Sequence, residues 1–233
     1  MPSAGSSAIP PDEEAVVPVA PQAPSIILGE LETGTAQSFG DSREHDGVVF
    51  DDVDLTGVHA QDREVVECLF TGVRLDDAVL TGSRLRETRF ERCEATALRL
   101  DVSELREVEV DGCRFGALDA YDAELRQVRI SQSRLGYVNL RGSRLHDVLL
   151  EGCHVEDLDL GDATVERLAL VDCTVDHLLL PGAALTDADL RGARVARVTS
   201  PDGLAGATVT PLQLVELAPV LAEHLGIEVV SST

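Results

Sequence analysis

The sequence predicts an all-β solenoid, a stack of short flat-sided coils closed at its C-terminal end by an α-helical cap. Three observations carry that expectation. From Phe50 to Val195 every fifth residue is apolar, 30 positions out of 30. A second inward position lies two residues before each of these. Gly, Asp, Glu or Gln commonly stands two residues after them, where a chain turns tightly.

A period of five belongs to neither regular element, since a helix repeats its buried face at about 3.6 residues and a strand at 2. At 44% apolar content chance does not produce such a run. In "RLGYVNLRGSRLHDVLLEGC", Arg134 to Cys153, the central residues are Leu135, Leu140, Leu145 and Leu150. The second inward set alternates with a period of ten. Ser83, Cys93, Ser103, Cys113 and Ala123 typify its small members, and Leu98, Val108, Leu118 and Val128 its larger ones. Two residues of each five therefore point inward and three outward. One such coil buries nothing on its open faces, so coils must stack.

"AVLTGSRL" and "ALTDADLRGARV" (Ala184 to Val195) follow a pattern close to A-(D/N)-L-x-x, and on them the chain resembles the pentapeptide-repeat family. The resemblance implies a right-handed quadrilateral parallel β-helix over residues 50–200, with four pentads per coil. Residues twenty apart then stack, so Phe50, Phe70 and Phe90 form one column. With strands about 4.7–4.9 Å apart, the pentads make roughly seven and a half coils and a rod of about 35 Å. This chain often places Arg, Glu or His before the central residue, which loosens the motif but keeps the inward pattern.

Arg63 breaks the rule by occupying an inward position in "HAQDREVVE". Either an irregular early coil turns it to solvent, or it forms a costly buried pair with Asp62 or Glu64.

The ends differ in composition. Residues 1–25 are rich in Pro, Ala and Ser and read as a disordered tail. Residues 26–49 read as an N-terminal cap, with "SIILGEL" as its strand. The register breaks after Val198 at "SPDG" and resumes shifted at Leu204 and Val209. Within 201–233, "TPLQLVELAPVLAEHLG" reads as a helix. Thr210 and Gln213 form its capping box, Pro211 suits its first position and Gly226 its end. Pro219 should kink or divide it. Leu214, Leu217, Leu221 and Leu225 share a face that either covers the last coil or joins two copies. In the resembling family, C-terminal helices often dimerise.

No signal for chemistry appears. The chain has no phosphate loop, HExxH or nucleophile elbow, and a continuous rod offers no cleft, so no catalytic, cofactor or metal residue is expected. Cys68, Cys93, Cys113, Cys153 and Cys173 all fall on inward positions and read as buried thiols in a reducing cytoplasm. Cys153-His154 fails as a zinc pair because neighbours on a strand face opposite ways. No apolar stretch reaches membrane-spanning length.

Charge is the informative surface property. The formal net charge is −23, and all 19 basic residues are Arg. That balance argues against direct nucleic-acid binding and favours a cationic partner. Glu67, Glu87, Glu107, Asp147 and Asp187 share an outward column beside Arg86, Arg106, Arg126 and His146. Another column alternates Arg89, Glu109 and Arg129, as cross-strand ion pairs do. Residues 126–144 hold five Arg and no acid, whereas 147–189 hold eleven acids and one Arg. The dense patch comprises Asp147, Glu151, Glu156, Asp157, Asp159, Asp162, Glu166, Asp172 and Asp176. Several members of the resembling family mimic duplex DNA and bind DNA gyrase or topoisomerase IV, inhibiting the enzyme or protecting it from quinolones. An uninterrupted coil looks more like the mycobacterial type than the loop-bearing type. The resemblance thus implies a type II topoisomerase as partner, with a link to antibiotic resistance. The alternative is a general protein-interaction scaffold, which the basic band at 126–144 favours.

Overall fold

Between Glu44 and Thr199 every strand pairs in parallel with a residue twenty positions away, as Phe50 does with Phe70 and Leu125 with Leu145. The computed structural model, which describes residues 17–230, is a parallel β-solenoid of about nine turns with a single C-terminal helix. Its strands form a 12-stranded and a 7-stranded sheet, folded against each other around one core. The rod exceeds the expected seven and a half coils because pairing continues past both ends of the regular repeat. Glu32 pairs with Val48, and Ala188 with Ala207. The latter offset is nineteen residues, so "SPDG" deletes one residue from the register and the stack continues.

The inward pattern is the core. Every central residue from Phe50 to Leu190 is buried, and only Val195, on the last coil, is partly exposed. Phe50, Phe70 and Phe90 stack with ring centroids 5.0 and 4.7 Å apart. Spacing near 4.8 Å is the strand separation itself, so the backbone ladder imposes the ring stack. Corners are made by left-handed backbone two residues after three of the four central positions of each regular coil, with φ of 55° at Asp162 and 61° at Gly72, whereas the fourth, as at Ala97, Ala117 and Tyr137, stays within an extended strand. Asp tolerates that conformation and Gly adopts it freely.

The small inward column has a polar duty that its size alone did not reveal. Ser83 Oγ accepts from the Arg63 N–H at 3.0 Å, and Ser103 Oγ from the Ser83 N–H at 3.0 Å. Ser133 and Ser143 repeat the contact with the Cys113 and Ala123 N–H groups. Each hydroxyl satisfies a backbone donor on the preceding coil that water cannot reach.

The N-terminal end is plugged by helix α1 (Ala36–Asp41), capped by Thr35 and Ser38. Phe39 is fully buried and meets the Phe50 ring edge-on at 5.2 Å. His45 stacks on Phe39 at 4.7 Å, and burial, with help from the Arg63 charge, holds its pKa below the usual histidine value. The expected strand at "SIILGEL" does not form: residues 25–31 carry no strand, and pairing begins just after them at Glu32–Thr33. Arg63 follows neither expected course. It stays inward at 9% exposure and donates to the backbone carbonyls of Gly40 and Ser42. The irregular end of α1 leaves those carbonyls without ladder partners, and a guanidinium supplies the donors.

Residues 1–16 of the expected disordered tail lie outside the described residues. Residues 17–25 do not project freely: the Val19 N–H donates to Asp187 at 3.2 Å and the Gln22 N–H to Asp147 at 2.9 Å. At the other end, helix α2 (Pro211–His224) carries the Thr210–Gln213 capping box and ends before Gly226. Pro219 lies within one continuous helix and does not divide it. The Gln213 amide donates to the Leu190 and Ala193 carbonyls at 2.7 Å each, fastening the helix over the last coil.

Val102 occupies a corner with φ 57° and 57% exposure, where its column neighbours are Gly82 and Asp122, residues suited to that conformation. A β-branched residue is strained there. Val102→Gly is expected to raise stability by about 1 kcal/mol, read from the denaturant midpoint at unchanged slope.

Candidate interaction surface

The outward residues of stacked pentads form columns, because the strands hold equivalent positions one rise apart. Opposite charges on neighbouring coils then meet. Arg89 Nε lies 2.7 Å from Glu109, Arg114 3.2 Å from Glu94, and Arg74 3.2 Å from Asp54. Arg129 leaves the Glu109 column and pairs with Glu151. The basic neighbours of the acidic column are also engaged: Arg86 with Glu64, Arg106 with Glu107, Arg126 with Glu124 and His146 with Asp147. The sides of the rod are largely self-paired.

The C-terminal acidic patch divides by the same test. Asp147 is the most enclosed, with a side chain 3% exposed and Arg167 Nε 2.7 Å away. Burial alone would raise its carboxyl pKa. Hydrogen bonds from Arg167 and the Gln22 N–H, with the Arg167 and His146 charges, hold it below the usual carboxylate range. Asp159 is also buried, accepting from Tyr137 Oη at 3.1 Å and the Gly161 N–H at 2.9 Å. Asp157 faces His177 at 3.1 Å, Asp176 faces His154 at 3.2 Å, and Asp162 faces Arg141 at 3.3 Å. Glu151 and Glu166 pair with Arg129 and Arg167. Glu156 and Asp172 are exposed and lack an ion-pair partner among the described residues. The run of like charge in sequence is thus dispersed in space, because partners twenty residues away are invisible to a linear count.

The leucine face of α2 also splits. Leu217 and Leu221 are half-buried, and Leu217 packs against the core, whereas Leu214 and Leu225 are 52% and 69% exposed. Pro211 to His224 therefore covers the last coil with one edge and presents apolar side chains outward with another.

The five cysteines are buried free thiols. Burial pushes the Cys68 thiol up to about 11. Cys113 and Cys153 are raised too, first by thiol hydrogen bonds to Cys93 and Cys173, then by burial. Among the described residues no cluster of three metal-ligating side chains forms, and no helix is long and apolar enough to cross a membrane.

A closed parallel solenoid with four pentads per turn and nearly all its charge on outward columns defines a repeat protein that presents a surface. Residues 66–97 match the family described as Pentapeptide repeats (8 copies), and the five-residue repeat they carry runs through the coil on either side of them. A search of curated proteins finds no match. Among solved structures, the chain is similar to full-length QnrB1, a plasmid-mediated fluoroquinolone resistance protein, at 14% identity and TM-score 0.32, covering 84% of this chain and 95% of that one. It is also similar to HetL, a pentapeptide repeat protein involved in heterocyst differentiation regulation from the cyanobacterium Nostoc sp. strain PCC 7120. That match has 16% identity and TM-score 0.28, and covers 72% of this chain and 89% of that one. Likeness at this level carries no function across.

Hydrogen bonds from the partner thiols lower Cys93 and bring Cys173 down to about 7, so burial inside the intact coil, not a raised pKa at every thiol, is what should keep these cysteines inert. A thiol reagent at neutral pH is expected to label none of the five rapidly in the native protein, and all five in denaturant.

Proposed function

We propose that this protein is a non-enzymatic scaffold that binds a protein partner along the sides of its rod. The observation that carries the reading is the self-pairing of its charge. Twelve of the eighteen Arg between residues 50 and 200 already face a carboxylate. A phosphate-like face would need unpaired carboxylates in continuous array. What remains is a patterned surface with a local acidic excess, which suits a specific cationic partner more than a generic duplex mimic. Buried thiols fit a reducing, cytoplasmic setting.

A narrower reading is supported by the excess that survives pairing: thirty acids against eighteen Arg in the coil, with Glu156 and Asp172 unpaired near its C-terminal end. In that reading the rod binds a type II topoisomerase such as DNA gyrase in place of DNA, and modulates it or shields it from inhibitors. A supercoiling titration with and without a quinolone separates the two. The scaffold reading expects no effect at large molar excess. Inhibition or protection that disappears in Glu156→Gln/Asp162→Asn/Asp172→Asn would establish mimicry instead.

The exposed edge of α2 supports a homodimer as part of the proposal. Leu214→Glu/Leu225→Glu is expected to halve the mass measured by sedimentation and leave the β circular dichroism unchanged. An unchanged mass would assign α2 to capping alone.

A further inference from the structure

The segment before the N-terminal cap runs along the rod axis, across the coils. Val19 is anchored to Asp187, Gln22 to Asp147, and the Ile26 carbonyl accepts from Arg89 at 2.9 Å. Three residues, from Val19 to Gln22, cross the forty residues between Asp187 and Asp147, which is two coils or about 9.6 Å. That is about 3.2 Å per residue, a fully extended chain. The burial pattern says which extended form. Pro18 is buried and Pro21 and Pro24 are half-buried, whereas Val17, Val19, Ala20, Gln22, Ala23 and Ser25 are exposed. A period of three is that of polyproline II, with three residues and about 9.3 Å per turn, and not that of a strand. One turn of this helix therefore matches two coils of the rod. The prolines return to the surface in step with every second coil.

The strap is hydrogen-bonded to one outward column at Asp187 and Asp147. Glu67, Glu87, Glu107, Gln127, Asp147, Arg167 and Asp187 are all half-buried or buried. Side-chain exposure is 23% at Glu107, 3% at Asp147 and 17% at Arg167. At the same pentad position on other corners, Arg92 and Asp162 are each 69% exposed. Two carboxylates of this column, Asp147 and Asp187, are also consumed as acceptors for strap N–H groups.

We propose that residues 17–26 are a built-in polyproline ligand that masks the acidic column at Asp147 and Asp187, and that release of this strap opens the column to a cationic partner. The attachment suits release. Among the described residues, no member of the central core cluster precedes Phe39, so the strap leaves without opening the coils. The masking rests on the reading of the rod as a surface for a cationic protein, but its test requires no natural partner.

The full chain is compared with its Pro18→Ser/Pro21→Ser/Pro24→Ser variant, which loses the preformed helix and its apolar edge without a change of charge. The probe is a deca-arginine peptide at low ionic strength. The variant is expected to bind it roughly two- to fivefold more tightly, the worth of one freed carboxylate at Asp187, because Asp147 keeps its ion pair with Arg167. A chain lacking residues 1–25 should do the same although it has lost Asp12, Glu13 and Glu14, which by charge alone would weaken binding. A synthetic peptide spanning residues 15–28 should bind that shortened chain, not the full one, and reverse the gain. Failure of the peptide to bind the folded shortened chain would overturn the strap as a ligand. Peptide binding with unchanged arginine affinity would overturn the masking and leave a mechanical clamp.

Discussion

The parallel hydrogen-bond ladder between residues twenty positions apart is the constraint from which the other features follow. It fixes the rise per coil near the spacing at which aromatic rings stack, so Phe50, Phe70 and Phe90 need no further device to align. It also demands that each coil be the same length. Insertions within the coil would push every later side chain onto the wrong face, which explains an apolar position at every fifth residue without a gap. Because each coil contacts only its neighbours, stability is distributed along the rod and the ends become the weak points.

Both ends are closed by local exceptions to the repeat. At one end α1 inserts Phe39 onto the phenylalanine column, and Arg63 reaches out of an inward position to bond the helix's free carbonyls. At the other, Gln213 of the α2 capping box bonds the carbonyls of Leu190 and Ala193. In each case a polar side chain serves backbone carbonyls at the end of the stack that no further coil pairs. An open sheet end left bare would recruit a further strand.

The same ladder organises charge. Outward residues twenty apart lie one rise apart, so an Arg and a Glu in the same or adjacent columns meet at hydrogen-bond distance, as Arg89 and Glu109 do. Pairing lowers the field of an acidic chain without lowering its net charge. The N-terminal strap applies a related device along the axis, satisfying Asp147 and Asp187 with backbone donors and covering them with proline. Recognition by such a surface depends on which carboxylates remain uncovered, more than on how many the sequence contains.

The sequence by itself determined the coil. The period of five, the two inward positions and the turn residues are set by side-chain size and backbone freedom, which are local properties and legible in a single chain. The phenylalanine column, the buried thiols, the register slip at "SPDG" and the α2 capping box were readable for that reason. Only the tertiary structure decided the destinations of long polar side chains and of the segment before residue 26. Arg63 finds carbonyls more than twenty positions away, and Asp147 is enclosed by Arg167 on the next coil and by Gln22 from the strap. The proline-rich composition read as disorder, whereas residues 17–25 are held against the rod. It did not reveal that a three-residue turn of polyproline keeps step with two coils, because that match exists only once the coils are stacked.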